Sequence, residues 1–392
     1  MAKRRGNGEG GITKRKDGRY QGYATTGYDP ATGKAKKKYF YGKTRKEVQY
    51  KITEALGKVQ AGTYQEPSKL KVAEWFNIWL EEYQKISLRQ TTYESYESQI
   101  NLHILPAIGH HYLSKLETSH LQALYNSKLQ DGARLDGKKG GLSPRTVRYI
   151  HTIIHACLEQ ARKEGKIMIN PADSVKLPKD HPKEHKFLDT DQVRALLKVA
   201  RESHYFPAYY LALNTGLRRG ELLALRWKDV DLVDGEINVC QGIVRTKEGL
   251  VFQEPKTKFS KRTIGISPDV INVLKIHKKE QNEHRLSLGE SYQDHDLVFC
   301  NELGQPLDPR AITRHFERLQ DKAGLERINF HGLRHTFATL SLQEGTDPRT
   351  TQEALGHHKV AFTLDVYSGV TDKMKKEATS KIGNLLASCL NQ

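Results

Sequence analysis

A charged segment near the middle of the chain, residues 176–186 (KLPKDHPKEHK), contains two prolines and no apolar run. Neither a helix nor a central strand continues through such a segment, because each proline lacks the backbone donor that both structures require. We therefore interpret residues 176–187 as a linker. The 392 residues are expected to form separate domains on its two sides, since one core cannot be continuous across it.

The residues before the linker repeat the apolar spacing of helices. Val147, Ile150 and Ile154 recur at helical intervals, and Ser143-Pro144 supplies an N-cap followed by a proline in the first turn. Further helices are predicted around residues 72–83, at 91–103 ending before Pro106, and at 118–130. Residues 66–175 are thus predicted to form an all-α helical bundle.

The first 65 residues carry most of the excess positive charge. They contain 16 lysines and arginines against 5 acidic residues, in a chain whose net charge is +17. Three short strands are predicted at 10–13, 19–25 and 36–41, followed by a helix over 44–62 with Thr44 as its N-cap. A small basic α+β domain of this kind is suited to binding double-stranded DNA. The candidate DNA-binding residues are Lys14, Arg15, Lys16, Arg19, Lys36, Lys37 and Lys38, with Arg145 and Arg148 of the helical region.

A further domain is predicted after the linker, over residues 188–392. Asp189 is placed to cap a helix, strand patterns cover residues 236–267, and helical patterns dominate from there onward. The expected fold is mainly α with a small antiparallel sheet. Asp347-Pro348 predicts the start of a helix that ends at Leu355-Gly356.

Composition excludes several classes of protein. No stretch approaches the roughly 20 apolar residues that a membrane helix needs, and the opening MAKRRGNGEGG lacks the apolar core of a signal peptide. The 4 cysteines are scattered without a CxxC pair, so neither a disulfide framework nor a zinc site is expected. These features predict a cytoplasmic protein with no membrane partner.

Four short clusters in the last domain contain residues suited to chemistry. They are 215–221 (TGLRRGE), 254–262 (EPKTKFSKR), 331–335 (HGLRH) and 355–358 (LGHH), the last followed by Tyr367. Each has an ordinary explanation when it is considered alone. Arg218 and Glu221 have the spacing of a helical ion pair. His331 and His335 are spaced like metalloprotease ligands but lack the glutamate of that motif.

Taken in order, the clusters give Arg…Lys…His-x-x-Arg…Gly-His…Tyr, which resembles the active-site signature of the tyrosine recombinases, in particular the integrases of phages and conjugative transposons. The resemblance extends over nearly the whole chain. Residues 188–392 are similar to the catalytic domain, 102–116 and 142–172 to the SAM-like core-binding domain, and 1–62 to the domain that binds arm-type sites. It implies a catalytic fold like that of the type IB topoisomerases.

The resemblance also implies a role for each catalytic position. Arg218 and Arg334 would hold the scissile phosphate, because guanidinium groups stay charged and bind two oxygens at once. Tyr367 would attack the phosphorus and form a 3′-phosphotyrosine. The other roles are His331 and His357 at the phosphate, Lys256 as general acid with Lys258 and Lys261 as nearby alternatives, and Glu221 in support of Arg218. No metal, ATP or other cofactor is expected, since the phosphotyrosine ester conserves the bond energy.

The partners that the resemblance implies are core and arm attachment sites in bacterial DNA, a homotetrameric synapse, an excisionase and a host DNA-bending protein. Residues 374–390 would form an apolar helix that docks in cis or on a neighbouring subunit. Alternatives are a resolvase or invertase and a binding-only DNA protein on this scaffold. A metal-dependent nuclease is disfavoured, because no suitable acidic cluster appears and residues 294–296 (DHD) are predicted to lie in a loop before a strand. The basic first domain and the complete catalytic set favour an integrase of a prophage or integrative conjugative element.

Overall fold

The computed structural model describes residues 11–28, 32–60, 69–180, 186–254 and 261–356. The chain separates into two compact units, Met1–Asp180 and His181–Gln392, and the division lies within the segment predicted as a linker. The three-domain boundaries at 1–65, 66–175 and 188–392 stay a prediction. None of the helices in the described ranges is long and apolar enough to cross a membrane.

The first unit begins with a three-stranded antiparallel sheet, as predicted. Its strands are β1 (Ile12–Lys14), β2 (Tyr20–Tyr28) and β3 (Ala35–Gly42), in chain order, and α1 (Arg45–Gln60) follows them. The register pairs Gly22 with Phe40 and Tyr23 with Tyr39, so successive residues alternate between the two faces. Gly10, at the start of the predicted first strand, lies outside the described residues.

One face of this sheet packs on α1. Ala24 of β2 and Phe40 of β3 contact the same apolar cluster as Val48 and Ile52 of α1. Because side chains alternate along a strand, Tyr39 lies on the opposite face, where half of its surface is exposed. The apolar pattern therefore determines which face of the sheet remains accessible.

Helices dominate the rest of the first unit. They are α2 (Val72–Ile78), α3 (Gln90–Gln99), α4 (Leu105–Ile108), α5 (Thr118–Leu129) and α6 (Pro144–Lys163), with π-helical turns over Trp79–Gln84 and Ile100–Ile104. The start of α6 is confirmed, because the Ser143 hydroxyl accepts a hydrogen bond from the Thr146 amide at 3.1 Å. The apolar stripe of α6, including Val147 and Ile150, is fully buried.

The prediction that a helix ends before Pro106 is wrong. The chain continues from α3 through the π-helical turn at Ile100–Ile104 directly into α4, in whose first turn Pro106 lies. Proline is tolerated there because the first amides of a helical segment need no intrahelical acceptor. The π-helical turn changes the hydrogen-bond spacing at the junction, so that the chain passes the proline without breaking.

The second unit is mainly α with small antiparallel sheets, which confirms the predicted class. Its helices are α7 (Thr190–Ala200), α8 (Phe206–Thr215), α9 (Arg219–Leu223), α10 (Pro268–Leu288), α11 (Pro309–Lys322), α12 (His331–Gln343) and α13 (Pro348–Leu355). Its strands are β4 (Val230–Asp231), β5 (Glu236–Val239), β6 (Gly242–Thr246), β7 (Gly249–Gln253) and β8 (Arg262–Gly265). One sheet has the order β4-β5-β8 and the other joins β6 to β7.

A single apolar core connects most of these helices. Tyr209 of α8, Phe316 of α11 and Phe330 before α12 are buried together, with ring centroids 5.6–6.2 Å apart. Asp189 accepts a hydrogen bond from the Gln192 amide at 2.8 Å, which confirms the predicted start of α7. The core thereby fixes α8 and α12, whose ends carry the predicted catalytic residues.

Candidate active site

Two helices of the second unit end at left-handed glycines that lie close together. The residue after α8 is Gly216, with φ 61°, and the residue after α13 is Gly356, with φ 63°. A Cβ atom on Gly216 would lie 2.5 Å from Cδ1 of Phe337 and 2.7 Å from Cδ2 of Leu355. Glycine therefore allows α8 to end against α12 and α13, which brings two helix carboxyl ends into one site.

Arg218 follows this turn and immediately precedes α9. Its Nη1 donates to Oε1 of Glu221 at 2.7 Å, and its backbone amide donates to Oε2 at 3.0 Å. Its Nη2 donates to the carbonyl of Gly356 at 3.3 Å, and 37% of the side chain is exposed. The adjacent Arg219 instead donates to the hydroxyl of Thr313 at 2.7 Å. The structure thus distinguishes two arginines that are neighbours in sequence.

Arg334 lies in the first turn of α12 and is 2% exposed. Its Nη1 donates to the carbonyl of Gly216 at 2.8 Å, and its Nη2 donates to the carbonyl of Leu355 at 2.5 Å. The last carbonyls of a helix lack intrahelical donors and carry partial negative charge, so a guanidinium is a favourable partner. Arg334 therefore holds the ends of α8 and α13 together.

His331 is the first residue of α12 and is exposed, whereas His335 is buried one turn later. The two ring centroids lie 4.8 Å apart. Because His331 and Arg334 are three residues apart on α12, their side chains share one side of the helix. The structure therefore leaves an accessible imidazole beside the buried guanidinium.

Glu221 is 8% exposed and lies between two arginines. Arg262, the first residue of β8, donates from Nη2 to Oε2 of Glu221 at 3.0 Å and from Nε to the carbonyl of Ala354 at 2.7 Å. Burial raises the pKa of the Glu221 carboxyl, but the hydrogen bond from Arg262 and the charges of Arg262 and Arg218 outweigh it and hold that pKa below its usual value. Glu221 is therefore an anion at neutral pH.

Sequence analysis assigned no role to Arg262. The residue lies 41 positions from Glu221 in the chain, and its cluster was considered only for its lysines. The available signal was an arginine at the start of the strand that follows the lysine cluster. Its side chain is 6% exposed in the structure, and a buried charge needs a partner of opposite sign. The identity of that partner is decided by the fold.

Part of the predicted catalytic set lies outside the described residues. This applies to Lys256, His357 and Tyr367, and also to Lys258 and the segment 374–390. Lys261 is described, and its exposed Nζ lies 3.1 Å from a carboxylate oxygen of Glu254. The roles of these residues stay predictions.

The residues considered for a metal-dependent nuclease have other partners. Asp294 forms an ion pair with Arg285 at 2.6 Å, and Asp296 accepts a hydrogen bond from the Lys228 amide at 3.3 Å. Within the described ranges, no group of three or more histidine, cysteine, aspartate or glutamate side chains could hold a metal ion.

Three lysines of β3 that were predicted together as DNA-binding residues lie on two different faces of the sheet. Lys37 lies on the open face, and its Nζ is 4.8 Å from the ring centroid of Tyr23. Lys36 and Lys38 lie on the side of β3 that faces α1. Lys37 is therefore the strand lysine that shares its face with the exposed ring of Tyr39.

The other DNA-binding candidates are exposed but differ in their contacts. Those around the turn between β1 and β2 are Lys14, Arg15, Lys16 and Arg19. The guanidinium of Arg15 lies 5.5 Å from the ring centroid of Tyr41. On α6, Arg145 is exposed, whereas Nε of Arg148 donates to the carbonyl of Pro178 at 2.8 Å. Arg148 thus also holds the segment that leads out of the first unit.

Comparison with known proteins gives consistent results for both units. Residues 186–374 match the model of the Phage integrase family, and residues 71–129 match that of the Phage integrase, N-terminal SAM-like domain. The tyrosine recombinase XerC of Thermodesulfovibrio yellowstonii is 30% identical over 301 residues, covering 70% of this chain and 93% of that protein. The ICEBs1 integrase of Bacillus subtilis is 28% identical over 377 residues, covering 96% of this chain and 100% of that protein.

A solved structure shares the same architecture. The Tn1549 transposon integrase in complex with transposon right end DNA has a TM-score of 0.65 and 20% sequence identity, over 79% of this chain and 100% of that chain. At this identity the similarity establishes the fold alone. It supports the predicted arrangement of a SAM-like helical domain before a mainly α domain.

Proposed function

Because the chain belongs to the phage integrase family of tyrosine recombinases, we propose that it integrates and excises a mobile element, using the residues around Arg218 and Arg334 to cut and rejoin DNA. The observation that carries this assignment is the convergence of Arg218, Glu221 and Arg334 at the carboxyl ends of α8 and α13. Two guanidinium groups beside an exposed imidazole suit the stabilisation of a five-coordinate phosphate. The chain continues from this point into His357 and Tyr367.

In the proposed mechanism, the side-chain oxygen of Tyr367 attacks the scissile phosphorus. The bond to the 5′-oxygen breaks, a 3′-phosphotyrosine forms, and Lys256 gives a proton to the leaving oxygen. Arg334 supplies a fixed positive charge, whereas Arg218, whose side chain is more exposed, contacts the phosphate oxygens. Rejoining reverses these steps, with the 5′-hydroxyl of another strand as the nucleophile.

His331 and His357 are proposed to complete the phosphate site. An exposed imidazole at the start of α12 can donate to a phosphate oxygen or accept the proton of the nucleophile. Glu221 contributes by orienting Arg218, since its carboxylate binds both the guanidinium and the backbone amide of that residue. None of these steps requires a metal ion or ATP.

The first unit supports an integrase rather than a simpler resolvase or invertase. Its first 65 residues carry 16 lysines and arginines against 5 acidic residues, and the ICEBs1 integrase aligns with 96% of the chain. We assign residues 1–65 to arm-type sites and residues 66–175 with 188–392 to the core site. The proposed assembly on DNA is a homotetramer, with an excisionase and a host DNA-bending protein as further partners.

The assignment is tested in cells that carry the native gene and in an isogenic Tyr367→Phe strain. Outward-facing PCR is expected to detect the junction of an excised circle in the wild type alone. A junction in both strains would contradict the role of Tyr367. The junction sequence identifies the core site.

The core site then allows a test with purified protein. A nicked suicide duplex of that sequence should trap a covalent protein–DNA adduct in the presence of EDTA. The Tyr367→Phe protein should bind the same duplex without forming the adduct. A strict requirement for magnesium would contradict the proposed mechanism.

A further inference from the structure

Three consecutive carbonyl groups at the end of α13 each accept a hydrogen bond from a different arginine. The pairs are Ala354 with Arg262 Nε at 2.7 Å, Leu355 with Arg334 Nη2 at 2.5 Å, and Gly356 with Arg218 Nη2 at 3.3 Å. The donors come from β8, from α12 and from the turn before α9. Of these three arginines, Arg262 has no role in the mechanism proposed above.

The position of Arg262 is fixed by several independent contacts. Its backbone pairs with Val239 of β5, and its side chain is 6% exposed. The two Nη atoms face the two oxygens of Glu221, with Nη2–Oε2 at 3.0 Å and Nη1–Oε1 at 3.4 Å, while Nε binds the Ala354 carbonyl. A planar guanidinium bound in this way sets the plane of the carboxylate as well as its charge.

The same carboxylate is the main support of Arg218. Oε1 of Glu221 accepts from Nη1 of Arg218, and Oε2 accepts from both the backbone amide of Arg218 and Nη2 of Arg262. Without Arg262, Glu221 could rotate and carry Arg218 with it. A displacement of about 1 Å at a group that must meet the reacting atoms can cost roughly 10²-fold in rate.

We propose that Arg262 is a positioning residue of this recombinase: it locks Glu221 against Arg218 and ties both to the end of α13. Arg262 acts through Arg218 and does not touch the phosphate. The inference rests on the proposed role of Arg218 in DNA cleavage. It predicts an effect on the chemical step that is separable from DNA binding and from folding.

The experiment compares Arg262→Gln and Arg262→Lys with the wild type and with Arg349→Gln. Arg349 is a matched control, because it lies on α13 but forms an exposed ion pair with Glu353 at 3.3 Å. The suicide duplex provides the cleavage rate under single-turnover conditions at saturating DNA. Fluorescence anisotropy gives the Kd of the same duplex, and thermal unfolding verifies that each variant is folded.

Arg262→Gln is expected to lower the cleavage rate by about 10²-fold, with a Kd within about threefold of the wild type. Arg262→Lys should recover part of the loss, because it keeps the charge but cannot bind Glu221 and Ala354 with one planar group. Arg349→Gln should cleave at the wild-type rate. A folded Arg262→Gln that cleaves normally, or whose loss is entirely in Kd, would overturn the proposal.

If Arg262→Gln does not fold, Arg262→Lys is used to test the proposal. A folded lysine variant with the wild-type cleavage rate overturns the proposal, whereas a slower rate at unchanged Kd supports it. The lysine variant is suitable for this purpose because it retains a positive charge opposite the buried carboxylate of Glu221.

A double-mutant cycle separates this inference from the proposed function. Arg218→Lys alone tests whether Arg218 acts in cleavage, and a normal rate would contradict the proposed function. If Arg218→Lys is slow, combining it with Arg262→Lys should lower the rate little further, since the second change acts through the first residue. Independent, multiplicative losses would overturn the positioning role and leave the role of Arg218 intact.

Discussion

The second unit and the amino-terminal sheet both contain many basic side chains, but they hold them differently. Arg334 is 2% exposed and donates to carbonyls at two helix ends, and Arg262 is paired with a buried carboxylate. Lys37 of the sheet is exposed, and its Nζ lies 4.8 Å from the ring centroid of Tyr23. A buried arginine thus holds the groups that it binds in fixed positions, whereas an exposed lysine contributes mainly its charge to a DNA phosphate.

The largest effect is expected from Arg334→Lys. A lysine can donate to the carbonyl of Gly216 or to that of Leu355, but it lacks the planar fork that now binds both. The cleavage rate of the suicide duplex should fall by about 10²-fold, because the ends of α8 and α13 are no longer held together and Arg218 is displaced from the phosphate.

The contrast between the two regions requires that this loss occur in the chemical step. DNA affinity of Arg334→Lys, measured by anisotropy, should stay within a few-fold of the wild type. A folded Arg334→Lys protein that cleaves normally would show that the buried network is structural only.

A smaller effect is expected from Gly216→Ala. The substitution places a Cβ atom 2.5 Å from the ring of Phe337 and 2.7 Å from Leu355, at a φ of 61° that side chains rarely adopt. We expect a loss of about 2–4 kcal/mol in the free energy of unfolding, from backbone strain and overpacking together. The cleavage rate should fall roughly tenfold, because the carbonyl that Arg334 binds is displaced.

Gly345→Ala is the matched control for that substitution. Gly345 has a φ of 84°, but a Cβ atom there would meet nothing within 4 Å. Gly345→Ala should lower the free energy of unfolding by about 1–2 kcal/mol, from backbone strain alone. Its cleavage rate should equal that of the wild type. Urea unfolding and the cleavage assay measure both quantities, and equal losses for the two variants would contradict the close approach of α8 to α13.

The smallest effect is expected from single lysines of the sheet. Lys37→Ala should weaken binding to arm-type DNA by roughly threefold. It should also reduce the magnitude of the slope of log K against log salt concentration by about 0.9, the value for one phosphate contact. Lys36→Ala, which changes the neighbouring residue on the other face, should have less effect on both. Anisotropy titrations at several salt concentrations make the comparison, and equal slopes for the two variants would contradict binding through the open face.

Several elements of the fold were predictable because residues close in sequence decide them. Thr44, Ser143, Asp189 and Asp347 each accept an amide hydrogen bond at the start of the helix that they were predicted to cap. Each of these bonds spans three residues, so the local pattern contains both partners. Pro106 shows the limit of this reasoning, because a π-helical turn lets the chain pass a residue that usually ends a helix.

The candidate site was predictable only in part. The order of the motifs gave the family and selected Arg218, His331 and Arg334 as candidates, whose catalytic roles stay predictions. It did not separate Lys37 from Lys36, because that distinction depends on which face of β3 packs on α1. The proposed roles of Lys256 and Tyr367 still rest on the motifs.

By itself, the sequence determined where the two units divide, the class of each region and the set of residue types that chemistry on a phosphate requires. Only the tertiary structure decided that arginines from β8, α12 and the turn before α9 bind three successive carbonyls at the end of α13. It also decided that Glu221 joins Arg218 to Arg262. The reason is physical: apart from Arg218 and Glu221, these partners are 21 to 138 residues apart in the chain, and their distances are set by the packing of the core beneath them.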